Sequence, residues 1–327
     1  MEHTLPADLD YVDVVVDIGG TKVLVVLVRA QSIVGETSFS TTAFEQPDDL
    51  VAHATSSAMQ LAKAHSVRLR CGIAAVPGTI DRSAGTVVRA ANLGFRDYPL
   101  AARLSANLGG IPVEIDDDAN CGVIGEAHRG AAQGSLDVLY VTISTGIGMG
   151  ALVGGVPVLG SHGSSGELGH VGVVPGGRVC GCGRRGCLEA YASGSAIAMM
   201  GAELLAEGDH PLLRSLVGES SAVTAKDVVE AAEQGDVGST QIIEQAFDHL
   251  VRASHMLQVL FDPEVLVFGG GLMTSSFFAE GLMSAIHKAE SHIVARCAHA
   301  PERSVIHGGM KLAEELSARL QNDRQVL

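Results

Sequence analysis

Residues 12–28 read VDVVVDIGGTKVLVVLV, two apolar, β-branched runs separated by Gly19-Gly20-Thr21-Lys22. Such runs on either side of a glycine turn predict two strands, 12–18 and 23–28, joined in a tight hairpin. The glycines lack a Cβ and therefore let backbone N–H groups approach a phosphate closely. Thr21 supplies a hydroxyl, Lys22 a cation, and Asp17 a carboxylate that can hold magnesium. An ordinary hairpin with solvated polar residues would have the same pattern, so this motif alone leaves both interpretations open.

The same plan returns in the middle of the chain. A strand predicted over 137–144 leads into Ser144-Thr145-Gly146-Ile147-Gly148-Met149-Gly150, and another strand is predicted near 150–153. Taken alone, these residues would also fit a flexible hairpin. Two glycine turns that face each other across a cleft could hold a polyphosphate from both sides. The repeat therefore predicts a duplicated α/β fold of two domains with a cleft between them.

Hydrophobic patterning predicts the remaining elements. Further strands are predicted near 33–40, 70–76, 86–90, 113–115 and 265–268. Helices are predicted near 47–65, from 117 or 118 to 129, and near 187–206, 224–234, 238–260, 276–294 and 309–320. No Pro-rich linker interrupts the chain, so the domain boundary lies inside structured chain. We expect an N-terminal α/β domain over 1–118, joined by the C-terminal helix 309–327, and a larger C-terminal α/β domain over 119–308.

The composition is typical of a soluble protein with an aliphatic core. The chain has 327 residues, of which 46% are hydrophobic, only 4% aromatic and none Trp. Its formal charge of −15 disfavours a broad nucleic-acid surface but not a nucleotide site, where magnesium and backbone N–H groups handle phosphates locally. No apolar run is long enough for a membrane span, and the first residues lack the pattern of a signal peptide. We therefore expect a cytoplasmic protein that binds neither nucleic acid nor membrane.

Three carboxylates follow a short apolar strand in the segment Asp116-Asp117-Asp118-Ala119-Asn120. Transfer of a phosphoryl group to a hydroxyl needs a base beside that hydroxyl, and a carboxylate serves. Acidic residues at a helix start also cap free N–H groups and complement the helix dipole. From these residues alone, capping is the favoured interpretation and catalysis the alternative.

Four potential metal ligands share one glycine-rich segment: His170, Cys180, Cys182 and Cys187. One imidazole and three thiolates form a closed tetrahedral site for Zn²⁺, with no open position for chemistry. The clustering indicates a metal site in a reducing compartment rather than a disulfide framework. We therefore predict a structural zinc. The remaining thiols are scattered and are assigned to core or surface: Cys71, Cys121 and Cys297.

Two acidic residues, Glu167 and Glu189, lie near the two ends of the predicted zinc loop, 166–189, and flank its metal ligands. Carboxylates are good acceptors for sugar hydroxyls, and a loop tied to a metal would hold them still. Solvated surface acids would give the same pattern, so from the residues alone this alternative stays open.

Together, these motifs resemble the ROK family (repressors, open reading frames, kinases), and in overall plan its glucokinases. The most specific segment is GELGHVGVVPGGRVCGCGRRGCLE, residues 166–189, which follows the family's E-x-G-H and C-x-C-G-x-x-G-C signature. DIGGTK at 17–22, Pro77-Gly78, Asn92-Leu93-Gly94 and Gly269-Gly270-Gly271 extend the match from Tyr11 to about Leu320. The resemblance implies a two-domain actin-like fold, of the duplicated ribonuclease H-like type, that binds its substrates in an interdomain cleft.

The resemblance also implies roles for individual residues. Asp118 would take the proton from the sugar hydroxyl, and His170 would contact the sugar as well as zinc. The other implied sugar-binding residues are Gly78, Asn92, Asp117, Glu167 and Glu189. The residues implied to bind ATP phosphates are Gly19, Gly20, Thr21, Lys22, Thr145 and Gly146, and those passing beneath adenosine are Gly269, Gly270 and Gly271. ATP with Mg²⁺ is the implied phosphoryl donor, and a homodimer or homotetramer the implied assembly.

The chain departs from the family pattern at three positions. Asp117 stands where the family usually has Asn, and an ionised Asp only accepts hydrogen bonds whereas Asn also donates. A second carboxylate beside the base would tend to raise the pKa of that base, so we expect altered sugar choice or weaker turnover. Ser144 and Met149 replace common glycines, and Met149 is expected to narrow the space near the phosphates.

Three functions compete. The favoured one is phosphorylation of a hexose at its 6-hydroxyl by ATP, with glucose as the first expected substrate and N-acetylmannosamine, N-acetylglucosamine, mannose, fructose and allose as alternatives. A sugar-responsive repressor would need an additional N-terminal helix-turn-helix domain, for which a first strand near residue 12 leaves no room. A sugar-binding regulatory protein with weakened catalysis is the remaining alternative, which the change at Asp117 keeps open.

Overall fold

The computed structural model describes residues 10–218 and 222–325. Its contacts divide the chain into two compact units. The first unit comprises Met1–His128, Leu159–Ser165 and Val305–Leu327, and the second comprises Arg129–Val158 and Gly166–Ser304. The boundary predicted between 118 and 119 lies at the start of a helix, Asp118–Arg129, whereas this division lies at the last turn of the same helix.

The strands are β1 Tyr11–Ile18, β2 Lys22–Arg29, β3 Ser32–Ser40, β4 Arg68–Ala75, β5 Thr79–Asp81, β6 Thr86–Ala90, β7 Phe95–Tyr98, β8 Val113–Asp116, β9 Val138–Ile143, β10 Ile147–Val153, β11 Val156–Pro157, β12 Val265–Gly269 and β13 Ala295–Cys297. The helices are α1 Pro47–Ala64, α2 Leu100–Asn107, α3 Asp118–Arg129, α4 Glu189–Ala192, α5 Gly194–Glu207, α6 Pro211–Val217, α7 Ala225–Glu233, α8 Val237–Phe261, α9 Ser276–Ala289 and α10 Ser304–Gln325.

The two units contain sheets of the same topology. The first sheet has the order β3-β2-β1-β4-β8 and the second the order β11-β10-β9-β12-β13. In each sheet, a central strand pairs antiparallel with its hairpin partner and parallel with the strand on its other side. The repeated hairpin in the sequence is therefore one part of a repeated five-stranded sheet. A separate three-stranded sheet, β5-β6-β7, belongs to the first unit.

Apolar strands place the cores. The valine runs of β1 and β2 are buried almost throughout. One face of this sheet packs on α1 and α2, through side chains such as Leu50 and Leu104. Its other face packs on α10, where Ile306 and Met310 contact the sheet. Burial on both faces explains why these strands are continuous apolar runs rather than alternating ones.

The second core lies between its sheet and helices α5, α7, α8 and α9, which contribute residues such as Ile197, Val228, Leu250 and Leu282. The predicted helix over 187–206 is two helices, because Ser193 adopts an extended conformation and caps α5 by accepting the N–H of Ala196 at 3.1 Å. Sequence patterns did not predict β5, β7, β11, β13, α2 or α6.

None of the helices within residues 10–218 and 222–325 is both long and apolar enough to cross a membrane.

Helices α3 and α10 approach each other closely at Gly308, where an added Cβ would lie 1.8 Å from the carbonyl oxygen of Cys121. Replacing a helical glycine with alanine normally stabilises a protein by about 1 kcal/mol. At Gly308 we expect the opposite sign, a loss of about 1–3 kcal/mol in the free energy of unfolding, because the backbone of α3 must shift. Denaturant unfolding of Gly308→Ala measures this loss.

The control for this variant is Ala318→Gly on the exposed side of α10. It should lower stability by about 1 kcal/mol through helix propensity alone. A Gly308→Ala protein as stable as the wild type, or more stable, would contradict the close packing of α3 against α10.

Candidate active site

Several predicted site residues of the first unit lie at one edge of its sheet. Asp17 is aligned with Ala75, which is in turn aligned with Asp116. The N–H of Val76 donates to the carbonyl of Asp116 at 3.0 Å. The parallel strands β1, β4 and β8 thus end at the same edge of the sheet. Asp17 lies at the end of β1, and Gly78 and Asp118 come shortly after the ends of β4 and β8. Carboxyl ends of parallel strands are the usual place for ligand sites in open α/β sheets.

Two carboxyl groups influence each other at this edge. The pKa of Asp17 is raised to about 7, mainly because the carboxyl group is buried and also because of the negative charge of Asp118, while the positive charge of Lys22 partly opposes the shift. The structure therefore brings Asp17, Asp118 and Lys22 close enough to interact electrostatically. Oxygen donors with an excess of negative charge suit a hard divalent cation such as Mg²⁺.

The turn between β1 and β2 is held by a residue that the sequence analysis missed. The N–H of Gly19 donates to the carbonyl of Lys22 at 2.9 Å and closes the turn. Buried Thr41 pins the turn from outside, since its hydroxyl donates to the carbonyl of Gly19 at 2.7 Å and its N–H to that of Thr21 at 3.0 Å. A threonine after a strand carries no distinctive pattern, so only the fold identifies its role.

Two neighbouring residues of the acidic segment, Asp117 and Asp118, make different contacts at the start of α3. Asp117 accepts the N–H groups of Ala119 at 3.1 Å and Asn120 at 3.3 Å, as a helix-capping residue does. Asp118 is the first residue of α3 and accepts the N–H of Ala119 at 2.8 Å. Capping, which the residues alone favoured, is therefore present, and Asp117 provides most of it.

Gly78 and Asn92 are associated with the small sheet. Gly78 has a φ of +114°, and a Cβ there would lie 2.3 Å from the carbonyl oxygen of Arg89 in β6. Only glycine fits both the conformation and the space. Asn92 is exposed in the short turn that follows β6. The backbone of Gly78 therefore packs against the strand that leads into Asn92.

The predicted ATP motifs of the second unit lie side by side. Ser144 N–H donates to the carbonyl of Gly146 at 2.9 Å, which closes the turn between β9 and β10. The first N–H groups of α5, from Gly194 and Ser195, donate to the carbonyls of Ser144 and Thr145.

The run 269–271 packs against the same turn, at the end of β9. Gly270 has a φ of +92°, and a Cβ there would lie 2.6 Å from the carbonyl oxygen of Ile143. The structure thus brings together two motifs that are distant in sequence.

The expectation for Met149 is wrong. Its side chain is buried in the core of the second unit with Leu139 and Ile147, so it does not narrow a space near phosphates. The N–H of Met149 donates to the carbonyl of Gly166 at 2.9 Å, which ties β10 to the start of the loop 166–189.

The four predicted metal ligands converge. The ligand atoms of His170, Cys180, Cys182 and Cys187 all lie within 4.8 Å of one another. Sγ of Cys182 lies 3.7 Å from Sγ of Cys187, and Sγ of Cys180 lies 3.6 Å from Nδ1 of His170. A tetrahedral ion with bonds of about 2.3 Å to sulfur would place its sulfur ligands about 3.8 Å apart. The donor set and spacing therefore fit a tetrahedral metal.

The acidic residues that flank this loop lie on either side of His170. Oε2 of Glu167 is 3.7 Å from Nε2 of His170, and Oε1 of Glu189 is 4.0 Å from Nδ1. The other oxygen of Glu189 accepts the N–H of Ile147 at 3.2 Å. A Cβ on Gly146 would lie 2.6 Å from that oxygen. Glu189 thus connects the metal-ligand loop to the turn between β9 and β10.

Curated relatives match most of this chain. A glucokinase of Thermotoga maritima is 34% identical over 259 residues, which cover 79% of this chain and 81% of that enzyme. A glucokinase of Halalkalibacterium halodurans is 36% identical over 197 residues, and the match spans 59% of that enzyme. The bifunctional enzyme NanE/NanK of Brucella melitensis is 34% identical over 272 residues, and the match spans about half of it, 47%.

Solved structures agree in fold. The ROK family glucokinase from Streptomyces griseus, in complex with glucose and AMPPNP, superposes with a TM-score of 0.83 at 28% identity, covering 93% of this chain and 99% of that one. The ROK hexokinase from Thermus thermophilus superposes with a TM-score of 0.74, also at 28% identity, covering 96% of this chain and 99% of that one. The predicted two-domain, actin-like sugar-kinase fold is confirmed. The sequence profile of the ROK family matches residues 13–320, and the chain belongs to this family.

Proposed function

We propose that this protein is an ATP-dependent sugar kinase that phosphorylates a hexose at its 6-hydroxyl, with glucose as the first substrate. The observation that carries the proposal is the grouping of Asp17, Lys22 and Asp118 at one sheet edge, beside a glycine turn that can hold phosphate. Curated glucokinases at 33–36% identity and a glucokinase structure with glucose and AMPPNP support the same activity.

In this proposal, Asp118 accepts the proton of the sugar hydroxyl as that oxygen attacks the γ-phosphoryl group. Asp17 would hold Mg²⁺, which neutralises charge on the phosphates when bound. The turns 19–22 and 144–146 would donate backbone N–H groups to the phosphates, and 269–271 would lie beneath adenosine. Catalysis then rests on position and electrostatics rather than on a covalent intermediate.

The sugar would be held by groups that differ in rigidity. Gly78 offers backbone at a position where a side chain cannot fit, and Asn92 offers an exposed amide. These groups include side chains of the loop that the metal would fix. The carboxylates of Glu167 and Glu189 would accept hydrogen bonds from sugar hydroxyls, and the ring of His170 would also contact the sugar. We propose that this metal is Zn²⁺ and that its role is structural, because four protein ligands leave no open position.

The N-acetylhexosamines are the second candidate substrates. Matches to relatives that are not glucokinases, the bifunctional NanE/NanK enzymes of two Brucella species, each at 34% identity, support a substrate other than glucose. A sugar-binding protein with weak turnover is the third candidate, which rests on Asp117 in place of the family's Asn.

Asp118→Asn keeps the shape of the side chain but removes the base. We expect kcat to fall by about 10²–10⁴-fold, with a smaller change in the KM for ATP. A coupled ADP-release assay with MgATP over a panel of hexoses and N-acetylhexosamines measures this and identifies the substrate. The control, Asp323→Asn on exposed α10, should behave as wild type. An Asp118→Asn enzyme with full turnover would exclude this residue as the base.

Asp117→Asn tests the departure from the family pattern. Asn caps helices about as well as Asp, so we expect little change in stability. We expect higher turnover or a changed ratio of kcat/KM between glucose and N-acetylmannosamine, because one negative charge beside Asp118 is removed and a donor is gained. The same sugar panel provides the measurement, and identical kinetics for every sugar would show that Asp117 acts only as a cap.

Cys182→Ser removes one of the four metal ligands. We expect the purified variant to hold less than one zinc per chain and to unfold at a lower temperature, because structural zinc contributes directly to folding free energy. Elemental analysis and thermal unfolding measure the two effects. Cys297→Ser, a thiol in β13 outside this cluster, is the matched control and should retain its zinc. Wild-type protein that binds no zinc would contradict the assignment.

A further inference from the structure

An ion pair joins the small sheet β5-β6-β7 to the end of β8, two residues before α3. Arg82 follows β5, and its Nε and Nη2 donate to Oδ1 of Asp116 at 2.9 and 2.6 Å. The side chains are only 21% and 13% exposed, so solvent screens this pair less than an ordinary surface pair. Both residues belong to the first unit.

The same carboxylate oxygen also organises the junction between β8 and α3. Oδ1 of Asp116 accepts the N–H of Asp117 at 2.7 Å and the side-chain amide of Asn120 at 3.4 Å. These contacts bracket Asp118 on both sides in sequence. A shift of the Asp116 side chain would therefore also displace Asp118, the residue proposed as the base.

The turn that carries Arg82 is itself fixed. Oδ1 of Asp81 accepts the hydroxyl of Ser83 at 2.6 Å and the N–H of Ala84 at 3.0 Å. Gly78 immediately precedes β5, and Asn92 follows β6 in the same sheet. Because these hydrogen bonds fix the turn, a displacement of Arg82 would also displace the small sheet, next to which both proposed sugar contacts, Gly78 and Asn92, lie.

We infer that Arg82 is a positioning residue that sets the distance between the sugar-contacting sheet and Asp118. This inference rests on the proposed kinase function. Arg82 touches neither sugar nor ATP in this assignment; it acts through Asp116. Misplacement of reacting groups by about 1 Å can cost about 10²-fold in rate, so a tie between these elements carries catalytic weight.

The test compares Arg82→Gln and Arg82→Lys with Arg96→Gln. Arg96 is exposed on β7 of the same small sheet and loses the same charge when replaced. For Arg82→Gln, we expect kcat/KM for the hexose to fall by about 10–10²-fold while the KM for ATP changes less than about twofold. Arg82→Lys should recover part of the loss, because it restores the charge but not the two-nitrogen contact. Arg96→Gln should match the wild type.

A double-mutant cycle with Asp116→Asn separates positioning from general stability. If Arg82 acts through Asp116, the double variant should be little worse than the worse single variant in kcat/KM for the hexose. Additive losses would overturn the inference, as would an Arg82→Gln protein that melts earlier but keeps wild-type kinetics. A wild-type protein that phosphorylates no hexose would overturn the proposed function together with the inference, whereas active wild type with unaffected Arg82→Gln overturns the inference alone.

Discussion

Close approach of backbone to backbone, at positions where a Cβ cannot fit, is the constraint on which both units depend. In the first unit, Gly78 lies against the carbonyl of Arg89, and in the second unit Gly270 lies against that of Ile143. Gly78 follows β4 and Gly270 follows β12, which hold the same place in the two sheets. The repeat therefore extends beyond the two glycine turns of the hairpins to the glycine after the neighbouring parallel strand. A fold that keeps these positions free of side chains leaves backbone N–H and C=O groups available to small ligands.

The repeat also explains why the C-terminal helix belongs to the first unit. Helix α3 follows the last strand of the first sheet, β8, and α10 follows the last strand of the second, β13. These two equivalent helices pack together at Gly308, and α10 covers one face of the first sheet. The sequence predicted that the C-terminal helix 309–327 joins the N-terminal domain, but hydrophobic patterning alone gives no reason for this. The packing supplies a physical reason, since the valine-rich sheet would otherwise expose one apolar face.

Strong local patterns made much of this fold predictable. Long apolar runs predicted β1, β2, β9 and β12, and the spacing of three cysteines and one histidine predicted their convergence. Weak local patterns account for the failures: β5, β7, β11 and β13 are two to four residues long, and such lengths carry no measurable alternation.

No sequence pattern singled out Thr41 or Arg82, because their hydrogen-bond partners are distant in the chain. Thr41 bonds the turn at Gly19, and Arg82 bonds Asp116. The expectation for Met149 was wrong for a related reason. Because Met149 replaces a glycine common in the family, its side chain was expected near the phosphates, whereas the alternation along β10 places this side chain in the core.

Glu189 connects the metal-ligand loop to the turn between β9 and β10, a contact that the spacing of the motifs in the sequence does not reveal. One oxygen of Glu189 holds the N–H of Ile147, and a Cβ on Gly169 would lie 2.4 Å from the carbonyl of the same residue. A Cβ on Gly166 would lie 1.9 Å from the carbonyl of Met149. The metal-ligand loop therefore lies directly along β10, the strand that leaves the proposed phosphate turn. Two segments that the sequence presents as separate proposed sugar and nucleotide motifs pack against each other, so a disturbance of the metal ligands should also displace the backbone proposed to contact phosphate.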